Sequence, residues 1–501
     1  MSRRSWLAAI CLVGALCAPA HAGERVMAEF FDASEGRNQR TPEVLPHVPL
    51  KAIVAEFLDP LDVGLGKSLS YLVWRETLTA ISDQAGAGVI LAEAPPGERL
   101  VDMLERDYHL AAERIARHQH GRMALWGAVE PEGDALIIEP YLSIQDVKGD
   151  SALRLALEGK VVTGPRRSAQ AERQPLISAA IRRNRFNFAP VSRTRSELFE
   201  RPIVITSRVA VRGAPQADAA VLEQVPAGRV LHAVDMQGAW FEVELPGGRH
   251  GFVHAGTFGN LQLPPRQVIA DLGQVNLRGG PGTDHPVVAK RDLKGAFRVL
   301  DMRYREGKGL WYRIDTGAGE TWVAGWLVRP RFSLPVVHFL AGLYRYYGNR
   351  PQDGITAFED FIRAAGDAED HIVLATGYQL LGACRLLSDP KARRGYDDFT
   401  QALRHTPYDP DAYLLRSVAA LGNRQAGKAL DDLDRALQLD ASYPPARELA
   451  ATLAAVAGQG GVTPLAVATG LMNATRATTR LVEKYGIQVD TPSRPGGRRY
   501  R

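Results

Sequence analysis

Ile203 to Arg329 contains one pattern written twice: Val211-Arg212-Gly213-Ala214-Pro215 returns as Leu277-Arg278-Gly279-Gly280-Pro281. Each copy runs through an apolar segment to a tryptophan set in a strand pattern, Trp240-Phe241-Glu242-Val243 and Trp311-Tyr312-Arg313-Ile314. Each closes on an aromatic followed by valine, Phe252-Val253 and Trp322-Val323. Self-similarity over roughly 60 to 70 residues, with turn signals between short runs, argues for two small all-β units and against one large sheet. Cores this small have little else to bury, so Trp240, Trp311, Tyr312 and Trp322 are expected to fill them.

The order of these signals resembles the bacterial SH3-like domain, a small barrel marked by Leu-Asn-Val-Arg-x-Gly-Pro, then Gly-x-Trp-x-x-Val, then Gly-Trp-Val. Asn276-Leu277-Arg278-Gly279-Gly280-Pro281-Gly282 is a close match, and the first copy is looser. Gly251-Phe252-Val253 has phenylalanine where tryptophan is usual, and Thr321-Trp322-Val323 has threonine where glycine is usual. The resemblance implies tandem barrels over 202–264 and 265–332 and leaves their ligand open. Candidate ligand residues are the loop-borne Arg303, Tyr304, Arg305 and Trp326 of the second copy. Its longer loop, Met302 to Leu310, sets several cations near an aromatic, which suits a peptide carboxylate; a solvated loop accounts for it equally.

After Pro335 the chain turns to alanine- and leucine-rich helical periodicity. Ala357, Phe361 and Ala364 set a spacing that Gly395, Phe399 and Ala402 repeat, and that Ala429, Leu433 and Ala436 repeat again 34 residues later. Small residues let paired helices cross closely while the larger ones fill the hole between repeats. This resembles the tetratricopeptide repeat over 334–458, with first helices Val337 to Tyr347, His371 to Leu387 and Pro410 to Leu421. The family register puts Tyr346, Asn349, Leu380, Cys384, Leu387, Leu414 and Val418 on a concave, apolar face. That face could receive an amphipathic partner segment. Equally, a terminal helix within 459–489 could fill it, leaving 490–501 as a basic disordered tail.

Before the barrels, 51–163 reads as a small α/β domain. Ala52 to Phe57 and Val89-Ile90-Leu91 are predicted strands, Lys67 to Ile81 and Gly97 to Gln119 helices, and Met123 to Ile144 a hairpin around Pro131-Glu132-Gly133-Asp134. Ile53 to Phe57, Gly66 before a helix, and Ala124-Leu125-Trp126-Gly127 opening the hairpin resemble the amino-terminal domain of TolB and related periplasmic domains. Such domains make protein contacts and carry no active site. Gly64-Leu65-Gly66-Lys67-Ser68 is half of a phosphate-binding loop, but Leu61 stands where the first glycine belongs and Asp59-Pro60 precedes it. Nucleotide binding is therefore not expected. Polar, proline-bearing 23–50 reads as a linker. So does arginine-rich 164–201, with a short helix at Pro175 to Arg183; the functional alternative for its charge is an anionic envelope surface.

The first residues carry export signals: Arg3-Arg4, an apolar run from Trp6 to Cys17, then Ala20-His21-Ala22. The expectation is a signal peptide over 1–22, cleaved after Ala22, and a periplasmic protein with no later transmembrane segment. Removing Arg3 and Arg4 lowers the formal charge from +5 to +3, too little to argue for nucleic acid. Of the three cysteines, only Cys384 would remain, which excludes an intramolecular disulfide. No nucleophile elbow, zinc pair or partnered cysteine appears, so no catalytic residue, metal or cofactor is assigned.

The sequence therefore reads as a multidomain chain of contact-making modules joined by tethers. The leading expectation is a non-catalytic periplasmic adaptor, its barrels on peptidoglycan and its repeats on an envelope protein or peptide. The alternatives are a scaffold acting wholly through proteins, with the barrels as spacers, and a wall-acting enzyme.

Overall fold

In the computed structural model the described residues are 27–32, 37–39, 50–81, 87–92, 100, 107–119, 121–144, 154–162, 171–180, 185–256, 261–305, 307–347, 350–389, 393–423, 425–447 and 449–450. The expected signal peptide, terminal helix and tail lie outside them, as does Asn349. Among them no helix is long and apolar enough to cross a membrane.

Two strands come first, β1 (Met27–Asp32) and β2 (Arg37–Gln39). The first domain is built on β3 (Leu50–Ala55), which lies parallel to β4 (Ala87–Ala92) and to β5 (Met123–Glu132). A central parallel strand is covered on both faces, which is why Ala52-Ile53-Val54-Ala55 is apolar without alternation. Ala52 and Val54 pack with helix α1 (Leu65–Ile81), through Leu69, Leu72 and Trp74. Ile53 and Ala55 pack on the opposite side with α2 (Tyr108–His118), through Ala111, Ala112 and Ala116. The expected hairpin is β5 with β6 (Ala135–Ile144).

Two segments expected to be linkers belong to folded structure. Strands β1 and β2 extend one edge of this sheet through antiparallel pairing of β1 with β4. Strands β9 (Arg185–Asn187) and β10 (Val191–Thr194) both pair with β6 at the other edge. The helix expected at Pro175 to Arg183 is not one: β7 (Arg154–Val162) pairs antiparallel with β8 (Ala171–Ala180). The register shifts beside Pro175, a position where a strand tolerates a residue without an N–H. A short apolar run such as Leu176 to Ala180 suits helix or strand, and its remote partner decides.

After a short helix, α3 (Arg195–Phe199), the duplicated segment forms two small β units of one topology. The first comprises β11 (Arg201–Ile205), β12 (Val209–Arg212), β13 (Val221–Val225), β14 (Val230–Gln237), β15 (Trp240–Leu245), β16 (Arg249–His254) and β17 (Leu261–Gln262). The second uses longer strands: β18 (Gln267–Arg278), β19 (Val287–Arg305), β20 (Gly309–Asp315), β21 (Glu320–Ala324) and β22 (Arg329–Arg331). Equivalent residues pair alike. Met236 faces Phe241 as Met302 faces Tyr312, Trp240 faces His254 as Trp311 faces Ala324, and Arg212 faces Phe252 as Arg278 faces Trp322. The chief difference is the hairpin before the tryptophan: Gly238-Ala239 in the first unit, Tyr304 to Leu310 in the second. Trp311 and Tyr312 are buried, whereas Trp240 and Trp322 are half-buried.

Three helix pairs follow: α4 (Pro335–Tyr347) with α5 (Pro351–Ala365), α6 (His371–Ser388) with α7 (Arg393–His405), and α8 (Pro410–Gly422) with α9 (Ala426–Leu439). Where a first helix crosses its partner, a glycine meets an aromatic: Gly342 with Phe358, and Gly382 with Phe399.

The expected tethers are absent among the described residues, because one hydrophobic core runs from α1 through the first barrel into the repeats. Val204 of the first barrel likewise enters the core of the second. Phe186 and Phe188 pack on Phe339 of α4 at ring distances of 5.5 and 5.6 Å. The Tyr344 hydroxyl accepts from the Ala52 amide at 2.8 Å. At the junction of all three parts, fully buried Arg201 pairs with Glu76 at 3.2 Å, and Glu76 also accepts from the Ser333 amide and hydroxyl.

Candidate functional site

The second barrel carries an open aromatic and charged face. Trp311 of β20 is 2% exposed and donates its indole N–H to the Lys308 carbonyl at 2.8 Å. Trp326, on the 3-10 turn Gly325–Leu327, stands edge-on to it at 5.4 Å yet remains 63% exposed. Gly309, at φ 70°, lies under the Trp326 ring, so a side chain there would meet the indole. Beside them Asp284 is held by Lys308 at 2.6 Å and by Arg305 at 3.2 Å. The hydrogen bond from Lys308 keeps the Asp284 carboxyl ionised down to about 2. Among the described residues of this face, two cations thus stand against one anion.

Cross-strand partners share a face. Arg303 pairs with Trp311 and Arg305 with Gly309, whereas Tyr304 pairs with Leu310 and so leaves from the other side. Of the four expected ligand residues, Arg305 and Trp326 are thus brought together. Arg303 is a strut, bonded to Asp301 and to the Gly228 carbonyl of the first barrel at 2.8 Å. Tyr304, 71% exposed, belongs to a different surface. Sequence reasoning missed Lys308 and Asp284. The one local signal for the lysine was its place in the turn Gly307-Lys308-Gly309.

The apolar face expected on the repeats is interior. Leu380, Cys384 and Leu414 are fully buried and Tyr346 is 7% exposed, while Leu387 and Val418 are half-buried against the same core. Helical register locates a stripe but does not say whether solvent or a neighbour covers it. Here α6 is packed between the flanking pairs, with Cys384 Sγ against Gly354. Burial pushes the Cys384 thiol far up, so it is inert. The hairpin β7–β8 lies against α6 and α8, so the chain itself covers part of the first-helix surface. A cavity of about 360 Å³ opens instead between α6 and the turn joining α7 to α8, lined by Thr376, Gln379, His405, Tyr408 and Asp409.

Two arrangements look chemical and are filled by the fold. At the start of α1 the Asp59 carboxylate accepts from the amides of Leu65 and Gly66 at 2.8 and 3.3 Å, taking the position a phosphate would need. Ser143 Oγ lies 2.8 Å from His109 Nδ1, and His109 Nε2 lies 2.7 Å from Asn187 Oδ1, the order of nucleophile, base and orienting group. Ser143 is fully buried and accepts from the indole of Trp126, whose ring stacks on Tyr141, at 2.9 Å. Burial lowers the His109 pKa. The array ties α2 and β9 to the sheet and offers no accessible nucleophile.

The first of the two barrels has a counterpart among known families: residues 207–258 match the bacterial SH3 domain. No curated protein matches the chain. Among solved structures, the MamA protein overlaps 31% of this chain and 79% of its own, at 16% identity and a TM-score of 0.21. NlpC2 and NlpC1 from Trichomonas vaginalis each overlap 26% of this chain and 48% and 46% of their own, at 11% and 12% identity and TM-scores of 0.15. Overlaps at such scores bear neither on fold nor on function. The bacterial SH3 unit and the helical carboxy-terminal region make this a multidomain protein.

Proposed function

We propose that the protein is a non-catalytic scaffold of the cell envelope, exported to the periplasm, that binds a wall peptide through its second SH3-like barrel. Its helix pairs, of tetratricopeptide type, and its TolB-like α/β domain hold envelope proteins. The observation that carries the ligand assignment is Trp326, solvent-facing over Gly309 of the hairpin that carries Arg305 and Lys308. An indole face receives an apolar side chain or sugar face, and the Arg305 and Lys308 cations receive a carboxylate. Sedimentation of the mature chain with purified peptidoglycan sacculi tests this. Co-sedimentation that a soluble stem peptide competes away is expected, and a protein that stays in the supernatant contradicts wall binding.

A second reading, a scaffold acting wholly through proteins, is favoured by one observation: the first barrel packs on α1 of its own chain. It expects partners cross-linked through the repeats and no affinity for sacculi.

A further inference from the structure

We infer that the first barrel is an occupied copy of the face the second barrel leaves open, and that its occupant is helix α1. The shared register makes Ala255 equivalent to Gly325 and His254 to Ala324. Both of these first-barrel positions meet α1. Arg75 donates Nε to the Ala255 carbonyl at 2.8 Å, and Nη2 to the same oxygen. Tyr71 meets the His254 ring edge-on at 5.9 Å, and His254 meets Trp240 in the same way at 4.8 Å. The Ser68 hydroxyl reaches the Met236 carbonyl, and the Lys67 side chain lies over Gly238.

The sequence difference between the copies explains the division. A two-residue turn, Gly238-Ala239, leaves room for a helix against the first barrel, and Gly256 stands where the second has Trp326. In the second barrel the extended hairpin and Trp326 occupy that space, and Trp326 remains open to solvent. Contacts of Tyr71 and Arg75 with a barrel edge are those of a protein ligand, here supplied within the chain. The first barrel thus anchors the α/β domain, and a soluble ligand reaches only the second. This inference goes beyond the wall reading and stands without it.

Carbethoxylation of histidines in the full mature chain, followed by mass spectrometry, tests the occupancy. His118 and His250 are the internal references, being exposed. His254 is expected to react severalfold more slowly than either, since it is half-buried, its ring edge-on to Tyr71 of α1 and to Trp240 and its Nδ1 accepting from the Gly256 amide. Arg75→Ala is expected to speed His254 alone. If His254 in the wild-type chain reacts as fast as His250, α1 does not occupy the face, an outcome that depends on no variant folding. If a folded Arg75→Ala variant leaves the His254 rate unchanged, the shelter does not come from α1 and the inference fails.

Discussion

Trp326 does little for stability, since most of its surface is in water, so its truncation separates recognition from folding. Replacing an exposed aromatic anchor costs about 2 kcal/mol of binding, roughly thirtyfold, when the residue is a hot spot. Trp326→Ala is therefore expected to abolish most co-sedimentation with sacculi while leaving the melting temperature nearly unchanged. Unaltered sedimentation would exclude this face as the binding surface. A second residue-scale prediction concerns protons. Burial, then the Lys67 and Arg75 charges, lowers the His254 pKa to about 4, against about 6.5 in an unfolded chain. Between those values the unfolded state binds a proton that the folded state refuses, so His254 contributes stability present above pH 6.5 and lost toward pH 4. Burial also lowers His338 to about 3, with the same sign and a window reaching further into acid. Asp398, lifted by burial to about 7, runs the opposite way and costs stability as pH rises toward 7. The histidine contribution is thus read by difference: melting temperature should fall less on acidification in His254→Gln than in the wild type.

At the scale of elements, the repeats depend on glycines where helices cross. A Cβ at Gly342 would lie 2.6 Å from the Phe358 ring. Helix propensity alone would reward Gly→Ala by about 1 kcal/mol, but overpacking costs typically 1–3 kcal/mol. Gly342→Ala is expected to destabilise, seen as a lower urea midpoint with an unchanged slope; a raised midpoint would contradict the packing. The helix pairs were legible in the sequence, because a 34-residue period with small and large residues at fixed places leaves one arrangement for them; the crossing glycines Gly342 and Gly382 were not. The duplication around Trp240 and Trp311 and the hairpin of β5 and β6 were legible too. What was not legible depends on partners far along the chain. Nothing local to Met27–Asp32 or Arg185–Thr194 distinguishes a linker from an edge strand until β4 and β6 supply hydrogen bonds. The interior positions of Leu380 and Leu414 were hidden for the same reason, since a stripe of apolar residues does not name what covers it. At the candidate site, the cluster of cations and tryptophan was visible. Which of Tyr304 and Arg305 shares a face with Trp326 was not, because it rests on the strand register of a long hairpin.

For the whole molecule, the main consequence of the structure is that the domains are fused through one hydrophobic core. Glu76, on α1, pairs with buried Arg201 of the first barrel and caps Ser333 at the entrance to the repeats. Removing one partner of a buried pair leaves an uncompensated charge and costs about 3–5 kcal/mol. Glu76→Ala is expected to lower the stability of all three parts together in calorimetry, not to melt one alone. A fused body also explains how one barrel can serve as an internal anchor while its twin faces solvent, since α1 is fixed to both the first barrel and α4. Small-angle scattering of the chain in solution tests this most directly. A compact chain of this length has a radius of gyration of roughly 23 to 28 Å, whereas modules on free tethers exceed about 35 Å. Fusion of the modules predicts the smaller value with a single-body profile; the larger value, with a flexible profile, would contradict it.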